Sequence, residues 1–245
     1  MGFWFINKNH IHITKIGNVP IILHRVPKGK IKTLTIKQTK SGKWFATFCC
    51  DVPQQSVVHA NPQSKVGIDV GLESFATLSN GEFVANPRYL VKSEAKLKLL
   101  HRRVSRKVKG SANRRKARFR LSRLYEMVTN QRQDFAFKLA NRIAKANAFI
   151  AVEDLQIKNM VRNHHLAKHI SDASWSAFIR CMEYKAVTCG SMLVKVNPRG
   201  TSMTCSKCGN IQDMPLAIRE FVCVKCSFVC HRDLNSSYNI LVRAD

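Results

Sequence analysis

The 245-residue sequence predicts an α/β fold with a small β-rich module ahead of it and a four-Cys ribbon set into it. Three observations predict this. Two short apolar strand patterns each end on or contain an acid, around Asp69 and Glu153. Helical periodicity fills the stretch between them. Two CxxC pairs lie near the C-terminus.

Composition narrows the function. The chain carries 41 Lys and Arg against 15 Asp and Glu, a formal charge of +26. A compact chain this basic repels itself unless it meets a polyanion, and nucleic acid is the expected partner. A 45% hydrophobic content with 23% charged residues is globular. No apolar run approaches the ~18 residues of a membrane span, so no membrane partner is expected. The opening Met1–Ile6 block is too short for a signal peptide. Nine cysteines, odd in number and with two tight pairs, suit an intracellular metal site better than a secreted disulfide framework. An intracellular, cytoplasmic and nucleoid-associated protein is expected.

Residues 31–36 and 43–48 alternate about a turn at Ser41-Gly42, a hairpin signal, and Pro27-Lys28-Gly29 marks an earlier turn. Residues 1–64 therefore read as a partial β-rich module followed by a linker from Asp51 to Ser64. Lys65–Gly71 gives a strand with Asp69 among apolar neighbours. Residues 73–79 give a second strand, Asn80-Gly81 a type I′ turn, and residues 82–85 a third. An unpaired carboxylate in a strand costs several kcal/mol to bury, so Asp69 needs cations or donors nearby.

Residues 92–123 hold fourteen Lys and Arg against Glu94 alone. Leu97, Leu100, Val104 and Val108, then Ala117, Leu121, Leu124 and Val128, recur at helical spacing. Two helices joined at Gly110-Ser111 follow, each with an apolar seam and a cationic outer face. A solvated surface is the plain reading of such a run. Its single sign points instead to phosphate contact by Arg102, Arg103, Arg106, Lys107, Arg114, Arg115, Lys116, Arg118 and Arg120.

A helix ending near Lys145 leads to the buried strand Phe149–Val152, and Glu153 falls at its C-terminal end, where open α/β sheets place ligands. Taken alone, Glu153 or Asp154 would be a loop cap. His164, His165 and His169 are read as solvent-exposed loop residues. A helix over 172–189, capped by Asp172 or Ser174 and stopped by Gly190, precedes a strand at 192–196.

Cys205, Cys208, Cys223 and Cys226 form two CxxC knuckles fourteen residues apart, the spacing of a closed, structural four-thiolate Zn²⁺ site. Cys49, Cys50, Cys181, Cys189 and Cys230 lack such spacing and read as small hydrophobes. Asp233 opens a last helix, where it could be a plain N-cap. With Asp69 and Glu153 it completes a set of three acids. Converging carboxylates repel unless divalent cations neutralise them. Mg²⁺ or Mn²⁺ held by Asp69, Glu153 and Asp233 would support two-metal-ion phosphodiester hydrolysis, with the three acids as the catalytic set. The element order, three strands, helix, strand, helix, strand, helix, is that of an RNase H-like domain.

The sequence resembles the TnpB (insertion-sequence OrfB) transposase family, relatives of the type V CRISPR effectors. The matching text is Gly67-Ile68-Asp69-Val70-Gly71, Asn130–Phe135, Val152-Glu153-Asp154-Leu155, Ser174-Trp175, Asn197-Pro198, Thr201–Gly209 and Arg232-Asp233-Leu234-Asn235. The resemblance covers roughly residues 20–243. It implies a RuvC-type domain at 65–200 with a basic helical hairpin near 92–130, a zinc ribbon at 201–230 and a final RuvC segment at 231–245. It implies a wedge-like, partial-barrel character for the module at 1–64. It also implies an RNA-guided DNA endonuclease with DNA and a guide RNA as partners, Asp69, Glu153 and Asp233 matching the RuvC-type acids. Family members carry a further N-terminal region, so this chain is expected to be shortened there. They usually have Asp where His231 stands; His231 either binds a metal weakly or simply faces solvent, and the second is expected because the three matched acids suffice for the chemistry. The alternative function is a non-cutting nucleic-acid-binding protein, a transposon remnant or a repressor. A third is a basic zinc-ribbon RNA-binding protein with no active site.

Overall fold

The computed structural model describes residues 2–52, 57–215 and 217–245. The expected linker over 51–64 lies partly outside the described residues, at 53–56. The chain forms two compact units, Met1–Gln55 with Leu100–Glu126, and Ser56–Leu99 with Met127–Asp245. Among the described residues no helix is long and apolar enough to cross a membrane.

In the first unit, β1 (Phe3–Asn7), β2 (His10–Ile13) and β3 (Gly17–Pro20) form an antiparallel meander. The expected hairpin is β4 (Lys30–Gln38) with β5 (Trp44–Asp51), running from Gln38 opposite Trp44 to Lys30 opposite Asp51. Gly42 closes its loop at φ +84°, and a Cβ there would stand 2.3 Å from the Phe119 ring. The two sheets share no strand hydrogen bonds. They meet through side chains, Phe5 lying 5.4 Å from Phe48 between ring centroids.

The second unit is built on a five-stranded sheet of order β10-β9-β6-β7-β8. β6 (Lys65–Val70), β7 (Ser74–Leu78) and β8 (Phe83–Ala85) form the antiparallel meander expected. β9 (Phe149–Glu153) and β10 (Met192–Val196) extend it in parallel, Lys65 facing Phe149 and Ile68 facing Val152. Three antiparallel strands continued by two parallel ones is the RNase H-like arrangement. The β7–β8 turn differs from the type I′ expected. Asn80 keeps a negative φ, Gly81 takes φ +90°, and the Gly81 amide donates to the Leu78 carbonyl at 2.9 Å. Ser79-Asn80-Gly81 is thus a three-residue loop ending in a left-handed glycine.

The helices connect these strands. α1 (Tyr89–Ser105) and α2 (Ala112–Ala146) turn near Gly110 as expected, with Leu97, Leu100, Leu124 and Val128 buried. α2 does not stop after its basic part. No Gly or Pro interrupts 112–146, so its 35 residues run on for about 52 Å at 1.5 Å per residue. α3 (Ile157–Met160) and α4 (His164–Ala173) occupy the stretch read as a polar loop. Asn163 accepts from the His165 amide and starts α4, leaving His164, His165 and His169 exposed. α5 (Trp175–Cys189) follows after a break at Ser174, which takes φ 57° and makes no side-chain cap. Asp172 caps α1 instead. Its carboxylate accepts from the Leu90 and Val91 amides at 2.8 and 3.2 Å and pairs with Arg132 at 2.9 Å.

Side-chain alternation gives the sheet two working faces. Val66, Ile68, Ile150 and Val152 point into a core with Phe75, Phe178 and Met182. Gly67, Asp69, Ala151 and Glu153 point to the opposite face, where Ala151 packs with Ile240 of α6 (Arg232–Ala244). A Cβ on Gly67 would stand 2.1 Å from the Ser237 carbonyl and 2.9 Å from Leu241 of α6. Glycine therefore lets the helix lie directly on β6. β11 (Glu220–Val222) and β12 (Val229–His231) form the ribbon's small sheet. Gly67→Ala should force α6 off the sheet and cost about 1–3 kcal/mol of stability. Urea denaturation measures the loss, and an unchanged midpoint would contradict this packing.

Candidate active site

Asp69 sits one residue past the last β6–β9 pair, Ile68 with Val152, and Glu153 sits one past it on β9. Paired positions on adjacent parallel strands share a face and are about 5 Å apart. The two acids therefore leave the same face, side by side. Asp233 comes from the first turn of α6. His231 rather than Asp233 caps this helix, its Nδ1 accepting from the Asp233 amide at 3.2 Å. That frees the Asp233 carboxylate, whose Oδ2 lies 3.9 Å from the position a Cβ would take on Gly71. His231 is half-buried, with its ring edge-on to Phe83 at 4.9 Å, and does not simply face solvent as expected.

Electrostatics reflect the closeness of the three acids. Burial, then the charges of Glu153 and Asp233, hold the Asp69 carboxyl well above the ordinary carboxylate range, and Arg232 offsets part of this. Burial also raises Glu153, against the hydroxyl of Thr201 and the charge of Arg243. Thr201 donates to Glu153 Oε1 at 2.6 Å. Arg219 bridges Glu73, at 3.0 Å, and Asp233, at 4.0 Å. Thr201 opens the family-matching stretch Thr201–Gly209 without being marked there as a site residue, and nothing in the sequence singles out Arg219. Thr201 follows Pro-Arg-Gly in an ordinary turn, and Arg219 is one cation among 41.

Such a site suits divalent cations. Two carboxylates leave one face of the sheet and a third comes to it from α6; Asp69 and Glu153 have raised affinity for protons, and the positive charge of Arg232 offsets only part of this at Asp69. The acids are more widely spread than the ribbon sulfurs. Among the described residues, Cys205, Cys208, Cys223 and Cys226 are the one group of His, Cys, Asp and Glu whose ligand atoms all lie within 4.8 Å of one another, and these four could hold a metal ion.

Each knuckle closes with an amide-to-carbonyl bond from the fourth residue on. Gly209 donates to Cys205 at 2.9 Å and Ser227 donates to Cys223 at 3.0 Å, at φ 73° and 54°. Burial opposes ionisation of Cys223, but the Cys226 and Lys225 amides draw it down to about 6. The Phe228 amide favours the Cys226 thiolate, yet burial and the sulfurs of Cys208, Cys223 and Cys205 push it up to about 12. Four sulfurs this close cannot all ionise without a cation between them. Cys181, Cys189 and Cys230 pack against apolar clusters, whereas Cys49 is exposed.

Asparagines on α6 tie the ribbon to the acids. Asn235 donates to the Thr204 carbonyl at 2.7 Å and accepts from the Ser206 amide at 3.0 Å. Asn239 donates to the carbonyls of Thr201 and Thr204 at 2.8 and 2.6 Å. Both residues are buried, so these bonds replace water that neither amide can reach.

The expected phosphate-binding side chains are in the other unit. Arg102, Arg103, Arg106, Lys107, Arg115, Lys116, Arg118 and Arg120 are exposed, with no acid anywhere in 102–120. Arg114 differs, being half-buried and donating to the Lys107 carbonyl at 3.0 Å across the α1–α2 turn.

The class of protein is a mixed α/β fold with a four-Cys cluster, and comparison with known proteins adds a family to it. The model of the OrfB family of IS605, described as a probable transposase, matches residues 47–164. That of the Cas12f1-like TNB domain matches residues 175–240. A putative RNA-guided DNA endonuclease of Streptomyces pristinaespiralis is 38% identical over 85% of this chain and 52% of its own length. The putative RNA-guided DNA endonuclease InsQ of Escherichia coli K12 is 30% identical over 95% of this chain and 61% of its own. A cryo-EM structure of a Cas12f1–sgRNA–target DNA complex shares the fold at TM-score 0.54 and 22% identity, over 85% of this chain and 55% of that one. The chain belongs to the OrfB, TnpB-like family. It spans between about half and three-fifths of the length of these two relatives.

The raised Asp69 carboxyl fixes the sign of a pH effect. A folded-state value above the unfolded one gives stability that is complete below the unfolded value, near 3.8, and is lost as pH rises through the folded value. Without added Mg²⁺, the stability difference between Asp69→Asn and the unsubstituted chain should grow between about pH 4, close to the unfolded value, and about pH 8.5, with the variant the more stable at the higher pH. Denaturant midpoints at both values test this, and a difference that does not change with pH contradicts it.

Proposed function

We propose that this chain is the nuclease portion of a transposon-associated, RNA-guided DNA endonuclease that hydrolyses phosphodiester bonds with Mg²⁺ or Mn²⁺ at Asp69, Glu153 and Asp233. The observation that carries the proposal is the convergence of these acids from β6, β9 and α6 on one face of the sheet. When bound, two such ions supply a water of lowered pKa and a charge clamp on the attacking and leaving oxygens.

The chain's own residues prepare the site. Asp69, whose charge both other acids oppose, would hold a bound cation together with them. Thr201 occupies Oε1 of Glu153 and so orients its second oxygen. The Arg219 guanidinium, held by Glu73 beside Asp233, offers donors to a phosphate oxygen entering the site. Burial of Asp69 and Glu153 strengthens the interactions that these two carboxylates make.

In this reading residues 65–200 and 231–245 are the RuvC-like nuclease domain, 201–230 is the inserted ribbon, and 1–64 is a wedge-like module. The ribbon metal is structural Zn²⁺. A tetrahedral site with Zn–S near 2.3 Å has S···S separations of about 3.8 Å. Cys205–Cys226 at 3.7 Å and Cys208–Cys223 at 3.6 Å fit that closely. DNA and a guide RNA are the partners, as the names of the relatives suggest. The exposed cations of 102–120 track their phosphates, and the protein acts inside the cell, on the nucleoid.

Mg²⁺-dependent DNA cleavage by the chain purified with RNA co-expressed from its own locus is the test. Asp69→Asn should lower the rate by on the order of 10³-fold or more while nucleic-acid binding is retained. Equal cleavage by the variant discards the assignment, and binding without cleavage by both chains favours a non-cutting protein. Replacing Arg102, Arg103, Arg106 and Lys107 by Ala should flatten the log–log salt dependence of DNA binding by up to about 0.9 for each phosphate no longer neutralised. An unchanged slope means those side chains face solvent.

A further inference from the structure

The outer face of the first unit's meander carries chemistry that hydrolysis does not use. Alternation sorts β1, β2 and β3 into two faces. Phe3, Phe5, Ile11 and Ile13 turn inward, the two phenylalanines against Phe48 of β5. Trp4, His12 and Asn18 turn outward. They stand in register, Trp4 opposite His12 and His12 opposite Asn18, as a row across the three strands. Trp4 is 54% exposed. A lone apolar side chain on a surface needs no explanation, but this one is held in place. Its indole stacks on the His12 imidazole, with ring centroids 4.1 Å and planes 23° apart. His12 Nδ1 donates to Asn18 Oδ1 at 2.7 Å, which fixes the imidazole in turn. Among the described residues β1 is the edge of its sheet, so no strand stands beyond the indole and its second face is open.

Charge and shape select the occupant. Residues 1–50 contain no Asp or Glu. Lys8 lies in the β1–β2 turn and Lys15 in the β2–β3 turn, both exposed, so the row sits between cations at the two ends of the strands. A fixed aromatic face between cations suits a planar ring carried on a polyanion. The ring stacks on the indole, and the phosphates on either side of it meet the lysines. Duplex DNA keeps its bases stacked inside the helix, whereas RNA offers unpaired bases in loops and at ends. We propose that this face is a stacking platform for unpaired bases of single-stranded RNA, with Trp4 as the stacking residue, His12 and Asn18 positioning it, and Lys8 and Lys15 on the flanking phosphates. The platform rests on the RNA partner of the reading above and needs nothing of its cleavage chemistry. Every base has a flat face, so the platform holds a segment of RNA without reading its sequence.

Binding of a short RNA to the full chain, without added Mg²⁺, tests the platform. The probe is an oligouridylate of about eight nucleotides, followed by anisotropy. Trp4→Ala should weaken its binding about 5- to 100-fold, the worth of one stacked base. Trp4→Phe, which keeps a flat ring, should recover most of that loss. The log–log salt slope should be the same for all three chains, because stacking releases no counterions. Trp4→Lys adds a cation and removes the ring, and should bind more weakly than the unsubstituted chain. An oligomer of the same length with abasic residues should bind the unsubstituted chain and Trp4→Ala alike. On the unsubstituted chain, where no substitution can disturb folding, irradiation of a bound oligomer carrying 5-iodouridine should place a crosslink on Trp4. Equal affinity of Trp4→Ala, tighter binding by Trp4→Lys, or a bound oligomer with no crosslink on Trp4 overturns the proposal. So does a Trp4 effect seen with oligothymidylate and absent with the RNA. Metal-dependent DNA cleavage by the unsubstituted chain reports separately on the nuclease reading.

Discussion

The site depends on one close approach. Helix α6 lies on β6 at a distance that leaves no room for a Cβ on Gly67. That approach is what carries Asp233, nearly at the end of the chain, to Asp69 near the start of the sheet. Side-chain alternation does the rest, because Gly67 and Asp69 are two residues apart and so share a face. The residue that admits the helix and the residue that meets its first turn are thus fixed by one strand geometry. Ala151 and Glu153 repeat the relation on β9, the small residue under Ile240 and the acid at the strand end. Folding energy from packing α6 is used to hold carboxylates together against their repulsion.

The ribbon takes part in the same constraint. Its first knuckle is fastened to α6 by Asn235 and Asn239, and the turn before that knuckle supplies Thr201 to Glu153. Its second arm supplies Arg219 to Asp233. A metal held by the four sulfurs would therefore also steady the segments that carry Thr201 and Arg219. The ribbon's small core, built from Met214, Phe221 and the cysteines themselves, is too slight to hold this geometry alone.

Much of this is legible in the residues. Asp69 and Glu153 stand out because acids interrupt apolar strand patterns, and the CxxC pairs because their spacing has few other uses. The hairpin around Gly42 and the basic helices follow from periodicity. What escapes a reading of the sequence is decided by tertiary partners. Asp172 looks like a local cap, but its oxygens go to α1, 82 residues earlier in the chain. The histidines before it look like a loop, but Asn163 caps a helix there. Asn80-Gly81 reads as a two-residue turn, while the strand register of Ala76 with Val84 demands a third loop residue. His231 looks free because its one role, holding the Asp233 amide, is a matter of backbone geometry. Gly67, in the middle of a strand pattern, gives no sign by itself of the helix that covers it.

The central claim is that three carboxylates from distant segments serve common divalent ions. Anomalous diffraction from crystals grown with Mn²⁺ tests it most directly. The account predicts manganese bound by Asp69 together with Glu153 and Asp233, and its disappearance in Asp69→Asn. Full occupancy of the ribbon with no manganese at these acids, at concentrations that support nucleases of this chemistry, would contradict it.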